Sequence, residues 1–413
     1  MQSKITKITA EEIKDSRENP TIKVTVFARS SEGDREEFGS FSVPSGASTG
    51  TNEACELRDD DGRGVGKAIN KINEIISPAL VGQDVLNQKM IDEIMINLDS
   101  TPNKKNLGGN SIIGVSIACA KVAAKLQDME TFEYLRTLKE IRPSRTVPYL
   151  FMNLINGGKH AKNEIAFQEY HIVPECNSIN DSVEIGIRIW NSLKEIIKRD
   201  LGNESILLGD EGGFAPKISD IKKPILYLKE AIKINDLKNK VHIALDVAAS
   251  SFFKNNLYEV DGDILTKEGL LETYNSLINE FNIFSIEDPF YEGDFESFRN
   301  LKETHNNLFV VGDDLTVSNK DLLQKAIREN SVNAIIIKPN QIGTLSETLE
   351  TMKLARDNDI ELIVSHRSGE TDDDFIADLA FAFGCFGLKT GAPLKPERKI
   401  KYDRLIEITE KQD

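Results

Sequence analysis

Cysteine is scarce in this 413-residue chain: four residues, at positions 55, 119, 176 and 385, with no CxxC pair among them. That spacing argues against a disulfide framework and against a zinc knuckle. Long apolar runs are also missing; no segment approaches 18 uncharged apolar residues, so no membrane span is expected. The N-terminal stretch MQSKITKITAEEIKDSREN is polar throughout and lacks a signal-peptide core. Positive charge is in deficit, with 51 Lys+Arg against 67 Asp+Glu and a formal net charge of −16. A nucleic-acid binder should carry a basic face, so that class is disfavoured. An anionic substrate is not excluded, because bound cations reverse the local sign. The expectation is a soluble protein of a reducing compartment, cytoplasmic in location.

What is present is enough to build cores: 39 % hydrophobic and 29 % charged residues without low-complexity tracts. The first third reads as a small α+β unit. TIKVTVFA (21–28) and REEFGSFSV (35–43) are extended runs flanking the hairpin signal SSEGD. Ile91, Ile94, Met95 and Leu98 follow helical spacing behind Asp84 as N-cap, and a second helix is expected from about 110 to 127. The two prolines of IRPSRTVP (141–148) break the periodicity. The expected division is an N-terminal α+β capping domain, 1–140, and a C-terminal catalytic domain, 141–413.

The second part has another rhythm. Short β-branched runs end abruptly in a polar residue: FQEYHIVP (167–174), ILLGDEGG (206–213), IALD (243–246), FSIED (284–288), FVVGDD (309–314), AIIIK (334–338), LIVSH (362–366) and FGLK (386–389). Amphipathic segments lie between them, at the interval of about 25 residues that a strand, a helix and two turns require. Eight such runs point to α/β architecture with a (β/α)8-type barrel, whose chemistry sits at the C-terminal strand ends.

Asp246, Glu287 and Asp313 all end strands. Carboxylates converging on one mouth call for a cation, and an all-oxygen set suits Mg²⁺. Lys338 and Lys389 end two further strands, and a desolvated lysine beside other cations can serve as a general base. Glu211 sits on the glycine-flanked turn GDEGGF, and SHRS (365–368) sets an imidazole, a guanidinium and a hydroxyl at a strand end, a grip for phosphate or carboxylate. GRGVGKA (62–68) is not a phosphate loop: Asp61 and Ala68 occupy positions that need Gly and Ser/Thr. His171, His242 and His305 have no ligand partner at i±4 and read as ordinary histidines.

Taken together, SGASTG (45–50), INGGKHA (155–161), FQE (167–169), GDEGGFAP (209–216), LDVAAS (245–250), SIEDP (285–289), GDDLTV (312–317), KPNQIGT (338–344), SHRSGET (365–371) and KTGAP (389–393) resemble the enolase family, in order and across essentially the whole chain. The resemblance implies Mg²⁺-dependent, reversible dehydration of 2-phosphoglycerate to phosphoenolpyruvate in glycolysis and gluconeogenesis. It implies Asp246, Glu287 and Asp313 as ligands of one Mg²⁺, and Ser48, on a mobile loop, as a ligand of a second that arrives with substrate. It further implies Lys338 as base at C2, Glu211 as acid at the C3 hydroxyl, and Glu169 and His366 beside them. His160, Gln168, Arg367, Ser368 and Lys389 match substrate contacts, and a homodimer or higher even oligomer follows from the same likeness. The alternatives are an enzyme of this type acting on a related phosphonate or phosphorylated acid, and a non-catalytic scaffold; the intact Lys338/Glu211 pair favours an enzyme. Three departures stand out: Glu18 where the SRGNPT motif has glycine, Ser251 where the family has glutamate, and Lys395-Pro396 within LKPER. Lys23 and Glu407 invert the signs of a familiar pair across the subunit interface, so a reversed ion pair is expected there.

Overall fold

A computed structural model describes residues 3–30, 35–46 and 50–411. Three antiparallel strands open the chain: β1 (Ser3–Lys14), β2 (Pro20–Ser30) and β3 (Glu36–Ser42), in the order β1-β2-β3. The hairpin turn at 31–34 lies outside the described residues. Strict alternation puts Ile22, Val24, Val26 and Ala28 of β2 on the buried face. β1 is not evident in the sequence, and a register shift between Ile5 and Lys7 explains why. The bulge lets Ile5 and Ile8, three residues apart, face the same side and so hides the two-residue period.

The inner face of this sheet packs on the helix Gly109–Leu126. Gly39 of β3 lies against that helix's backbone at Ala118 and Val122, where no Cβ fits. The helix is long and apolar enough to cross a membrane by length and composition, yet 83 % of it is buried inside the protein. The preceding helix runs Gln88–Asp99 and is capped by Asn87, whose side chain accepts from Met90 N–H at 3.2 Å; this corrects the expected cap at Asp84.

Residues 139–148 contain no helix or strand. Beyond them a closed barrel forms from β4 (Tyr149–Asn156), β5 (Glu169–Pro174) and β6 (Val241–Asp246), then, after a small three-stranded sheet, β7 (Phe253–Lys254), β8 (Leu257–Val260) and β9 (Asp263–Leu265), from β10 (Ser285–Glu287), β11 (Phe309–Gly312), β12 (Ala334–Ile337), β13 (Glu361–Ser365) and β14 (Gly387–Lys389). The expected barrel is thus present, with one change of membership. ILLGDEGG is not a barrel strand; only Ile206 of its apolar run packs on the core, and Leu207 and Leu208 are exposed. Its place is taken by YLFMNLIN, which ends in asparagine and therefore lacks the charged terminus that marked the others. Barrel-facing side chains, among them Phe151, Val173, Ala244, Val311, Ile336 and Ile363, fill the interior.

β5 runs antiparallel to both β4 and β6, while the other barrel pairs are parallel. The connection from β4, residues 157–168, contains one short turn, Gly158–His160, and forms no crossover helix. Reversal brings the start of β5 to the mouth where the other strands end. Glu18 has φ +64°, a conformation that costs an L-residue about 1–2 kcal/mol and glycine almost nothing, so the position suits the motif's glycine and nothing in the structure explains the glutamate.

The two parts of the chain are tied at a buried carboxylate. Asp92, on the helix Gln88–Asp99, accepts from Gln88 Nε2 (3.1 Å), Ser116 Oγ (2.6 Å), and both the N–H (2.9 Å) and Oγ (2.6 Å) of Ser346 on the barrel helix Leu345–Asp357. Burial pushes its pKa up, so the four donors are what make the position tenable. Asp92→Ala leaves Ser116 Oγ and both Ser346 donors without this acceptor, while Gln88 Nε2 keeps Ser116 O at 3.1 Å, and urea unfolding should show a loss of about 3 kcal/mol or more. A loss below about 1 kcal/mol would mean the junction is not a structural tie.

Candidate active site

The register of the reversed strand sets the chemistry. Glu169 pairs with Asp246 across β5 and β6, and Asp246 pairs with Glu287 across β6 and β10, so three carboxylates stand side by side at one level. Lys389, at the end of β14, reaches across the mouth to all three: Nζ is 2.8 Å from Asp246 Oδ2, 2.9 Å from both Glu287 oxygens and 3.3 Å from Glu169 Oε2. Burial works against the charge on Lys389, but the surrounding acids outweigh it and raise its pKa well above the ordinary lysine value. One ammonium does not neutralise the group. Burial, Asp246 and Asp313 drive the Glu287 pKa well above the usual carboxylate range, and burial raises that of Asp246 as well.

Asp313 follows β11 and forms a short ion pair with Lys338, at the end of β12. Its other oxygen accepts from Gln341 Nε2 at 3.0 Å. Burial opposes ionisation of both partners, and the pair overcomes it: Asp313 is shifted down and Lys338 up. Asp288 and Asp314 were not singled out from the sequence, although both lie in motifs it contains. Asp288 orients the loop by accepting the N–H groups of Asp313 (2.9 Å) and Asp314 (2.7 Å).

Glu211 belongs to the irregular segment that hydrogen-bonds along β4 through Asn156 N–H to Phe214 O (2.8 Å) and Phe214 N–H to Leu154 O (2.8 Å). The segment needs glycine: Gly212 has φ +84°, and a Cβ on Gly213 would lie 2.6 Å from Asn156 Oδ1. Asn153 Nδ2 donates to Glu211 Oε2 at 3.0 Å, while Oε1 faces His366 Nε2 (3.3 Å) and His160 Nδ1 (3.5 Å). His160 also lies 3.1 Å from Glu169 Oε1. Burial resists protonation of His160, but Glu211 and Glu169 prevail and raise its pKa. Burial and Glu169 oppose ionisation of Glu211; His366 and His160 overcome them and hold it below the ordinary range. Burial presses the other way on His366, lowering it to about 4.

Arg367 and Ser368 follow β13, with Arg367 Nη1 3.0 Å from Glu53 Oε2 and 3.1 Å from Asn340 Oδ1. Gln168 precedes β5; its Nε2 is 3.5 Å from Asp246 Oδ2, and its buried Oε1 has no hydrogen-bond partner among the described residues. Ser48 lies outside the described residues. Of the other expected site residues, His160, Gln168, Glu169, Glu211, Asp246, Asp313, Lys338, His366 and Lys389 line one mouth and Glu287 bonds Lys389 there, whereas Arg367 lies in the adjoining recess with Glu53 and Asn340 and Ser368 Oγ accepts from Arg17 Nη1 at 3.5 Å. His171, set aside in the sequence, is drawn in: Nε2 lies 2.7 Å from Glu169 Oε2. The signal was the two-residue period of β5, which puts positions 169 and 171 on the same face. Glu370 was likewise missed. It accepts from Arg367 N–H (3.3 Å) and Lys401 Nζ (2.8 Å) beneath the site.

The donor set fits a divalent cation. Asp246, Glu287 and Asp313 offer only oxygen, two of the three have raised pKa values from unrelieved burial and repulsion, and the unpartnered Gln168 oxygen is beside them. A tighter oxygen cluster, Asp288, Asp313 and Asp314, lies alongside, but there Asp288 is occupied by backbone N–H groups.

Comparison with known proteins agrees with this geometry. Residues 5–135 match the family model described as the enolase N-terminal domain, and residues 144–413 the model described as the enolase C-terminal TIM barrel domain. The chain is 43 % identical to an enolase of Methanococcus vannielii, covering 98 % of this chain and 95 % of that protein. It is 44 % identical to an enolase of Methanocaldococcus jannaschii (97 % and 94 % covered) and 45 % identical to one of Methanosarcina acetivorans (98 % and 94 %).

The buried Glu370–Lys401 pair generates a stability prediction. Burial opposes ionisation of Glu370, Lys401 and Arg398 overcome it, and the folded-state pKa lies below the ordinary value. The native state therefore releases a proton that the unfolded chain still holds near pH 4, so this contribution is present above about pH 4 and lost as pH falls below it. Glu370→Gln leaves the Lys401 ammonium buried without its counter-charge, and denaturant unfolding at pH 7 should show a loss of about 3–5 kcal/mol. Glu370→Gln/Lys401→Met should recover most of it; a double variant no better than the single one would contradict the pairing.

Proposed function

The chain belongs to the enolase family, and on that footing we propose that it is a phosphopyruvate hydratase, a lyase of glycolysis and gluconeogenesis that interconverts 2-phosphoglycerate with phosphoenolpyruvate and water. The observation that carries the reading is the disposition of Lys338 and Glu211. One enters the mouth from the end of β12 and the other from the segment lying along β4, with the cationic Lys389 and Arg367 nearby. Dehydration needs a base at C2 and an acid at C3. Lys338 takes the C2 proton first, and the C–H electron pair passes into the adjacent substrate carboxylate before it becomes the C2–C3 double bond. The C3–O bond breaks and Glu211 delivers the proton that makes the leaving hydroxyl water.

In the free site Glu211 is held ionised. The carboxylate and phosphate of the substrate bring negative charge, which favours a proton on the Glu211–His160–Glu169 group. Glu169 and His366 keep that acid in place, while Arg367, Ser368, Lys389, Gln168 and His160 bind and orient the substrate. A cation is part of the proposal: Mg²⁺, two per site, the first on Asp246, Glu287 and Asp313 and the second on Ser48 with substrate. When bound there it neutralises the carboxylates, relieves the hold of Asp313 on Lys338 and stabilises negative charge developing on the substrate.

The division at 140/141, with the N-terminal part capping the barrel, is supported by the absence of helix or strand at 139–148 and by reciprocal backbone bonds between Ser45 and Gly369 (2.8 and 2.9 Å). A cytoplasmic location suits a glycolytic enzyme, and a homodimer suits the family. The inverted Lys23/Glu407 pair belongs to that proposal; within one chain Glu407 bonds to Arg404 (3.1 Å) and Lys411 (2.8 Å), and Lys23 stands opposite Glu11 in the β1–β2 register.

Separate roles for base and acid predict separate failures. Lys338→Ala and Glu211→Gln should each slow dehydration by about 10²–10⁴-fold. Exchange of the substrate C2 proton with solvent deuterium, followed by NMR, should vanish in the lysine variant and persist in the glutamine variant. Equal loss of exchange in both would contradict the division of roles.

A further inference from the structure

The last helix, Pro396–Glu410, carries the largest side chain that is fully withdrawn from solvent, Arg398, with 0 % exposure. A buried cation is normally met by a carboxylate. Here one nearby acid, Glu370, is already paired with Lys401, the other, Glu397, is 3.9 Å from Nε, and Nε has no hydrogen-bond partner among the described residues. The other guanidinium nitrogens point into the active site's framework. Nη1 lies 2.6 Å from His366 Nδ1 and donates to Arg367 O at 2.6 Å; Nη2 donates to Ser368 O at 2.7 Å and to Asp210 O at 3.3 Å. One side chain therefore grips two of the segments that supply site residues, 366–368 and the turn at Asp210 before Glu211.

The contact with the imidazole has a chemical consequence. A guanidinium has five N–H donors and no acceptor, and it stays protonated. The ring nitrogen facing it at 2.6 Å must offer a lone pair. In a neutral ring the proton is then on Nε2, the atom 3.3 Å from Glu211 Oε1. A second proton on Nδ1 would set N–H against N–H and cation against cation. We propose that Arg398 is a positioning residue that fixes His366 as the neutral Nε2–H tautomer and so presents its single proton to Glu211.

Charges facing the ring come from four places. Burial is the strongest opponent of a second proton and Arg398 on the last helix adds to it; Glu211 on the irregular segment, Glu169 on β5 and Glu370 in the ring's own segment favour it. The ring stays neutral, and its one N–H faces Glu211 Oε1 at 3.3 Å, without a formed hydrogen bond in the free site. It cannot take the proton that Glu211 must give to the C3 hydroxyl. The tautomer rests on geometry alone; its effect on rate rests on the acid role proposed for Glu211.

The chain has five histidines, so ¹⁵N-histidine labelling of the Mg²⁺-loaded protein gives a readable spectrum. The signal absent from a His366→Gln sample identifies the ring. It should show a bare Nδ1 and a protonated Nε2 throughout pH 5–9. In Arg398→Met the same ring should titrate inside that window or sample both tautomers, and Arg398→Lys, which keeps a donor, should restore the fixed form. A parent ring protonated on Nδ1, a parent ring that titrates, or an Arg398→Met ring that matches the parent would overturn the assignment. In the rate arm, kcat of Arg398→Met should fall by roughly 10–100-fold toward pH 6 with little change in KM, and Arg398→Lys should recover it. If the ring responds as stated while the kcat–pH profile does not move, the acid role of Glu211 fails and the positioning of His366 by Arg398 stands.

Discussion

Glu169, Asp246 and Glu287 are set at one level by the register of three neighbouring strands, and a single ammonium, that of Lys389, answers all three. Moving an ion out of water costs several kcal/mol even after relaxation, so such a group persists only where the surrounding structure leaves it no alternative. The closed barrel supplies that constraint. Its interior is packed with Phe, Val, Ile and Ala, and a strand cannot slip without turning its inner side chains outward. The residual negative charge is what makes the mouth a cation site, and bound cations in turn let an acidic protein hold an anionic substrate.

Behind the mouth lies a second set of buried polar groups whose role is orientation. Asp288 fixes the loop carrying Asp313, His171 supports Glu169, Glu370 with Lys401 holds the turn after Arg367, and Arg398 spans two segments. Placement within a fraction of an ångström governs proton transfer, and groups held in advance need no reorganisation when the substrate arrives. These residues come from parts of the chain far apart in sequence, which is why the last helix matters to chemistry on the barrel's strands.

Much of this was legible before any coordinates. Asp246, Glu287, Asp313, Lys338 and Lys389 each interrupt an apolar strand, and a barrel converts that one-dimensional pattern into a shared mouth. What stayed hidden has identifiable causes. Leu207 and Leu208 imitate a strand because composition does not reveal exposure, and YLFMNLIN was passed over because it ends without a charge. The reversal of β5 follows a connection that forms no crossover helix, so Glu169 reaches the mouth from a strand's beginning rather than its end. Arg398 resembles any helical arginine until its burial is known.

The most direct test of this account is the reaction itself, followed as the appearance of phosphoenolpyruvate absorbance when 2-phosphoglycerate is added to chelator-stripped protein and Mg²⁺ is then restored. The account predicts no turnover in chelator, turnover on addition of Mg²⁺, and loss of that recovery in Asp246→Asn and Glu287→Gln. Turnover that persists in chelator, or full recovery in those variants, would contradict the claim that the crowded carboxylates at the barrel mouth exist to hold a cation over the substrate.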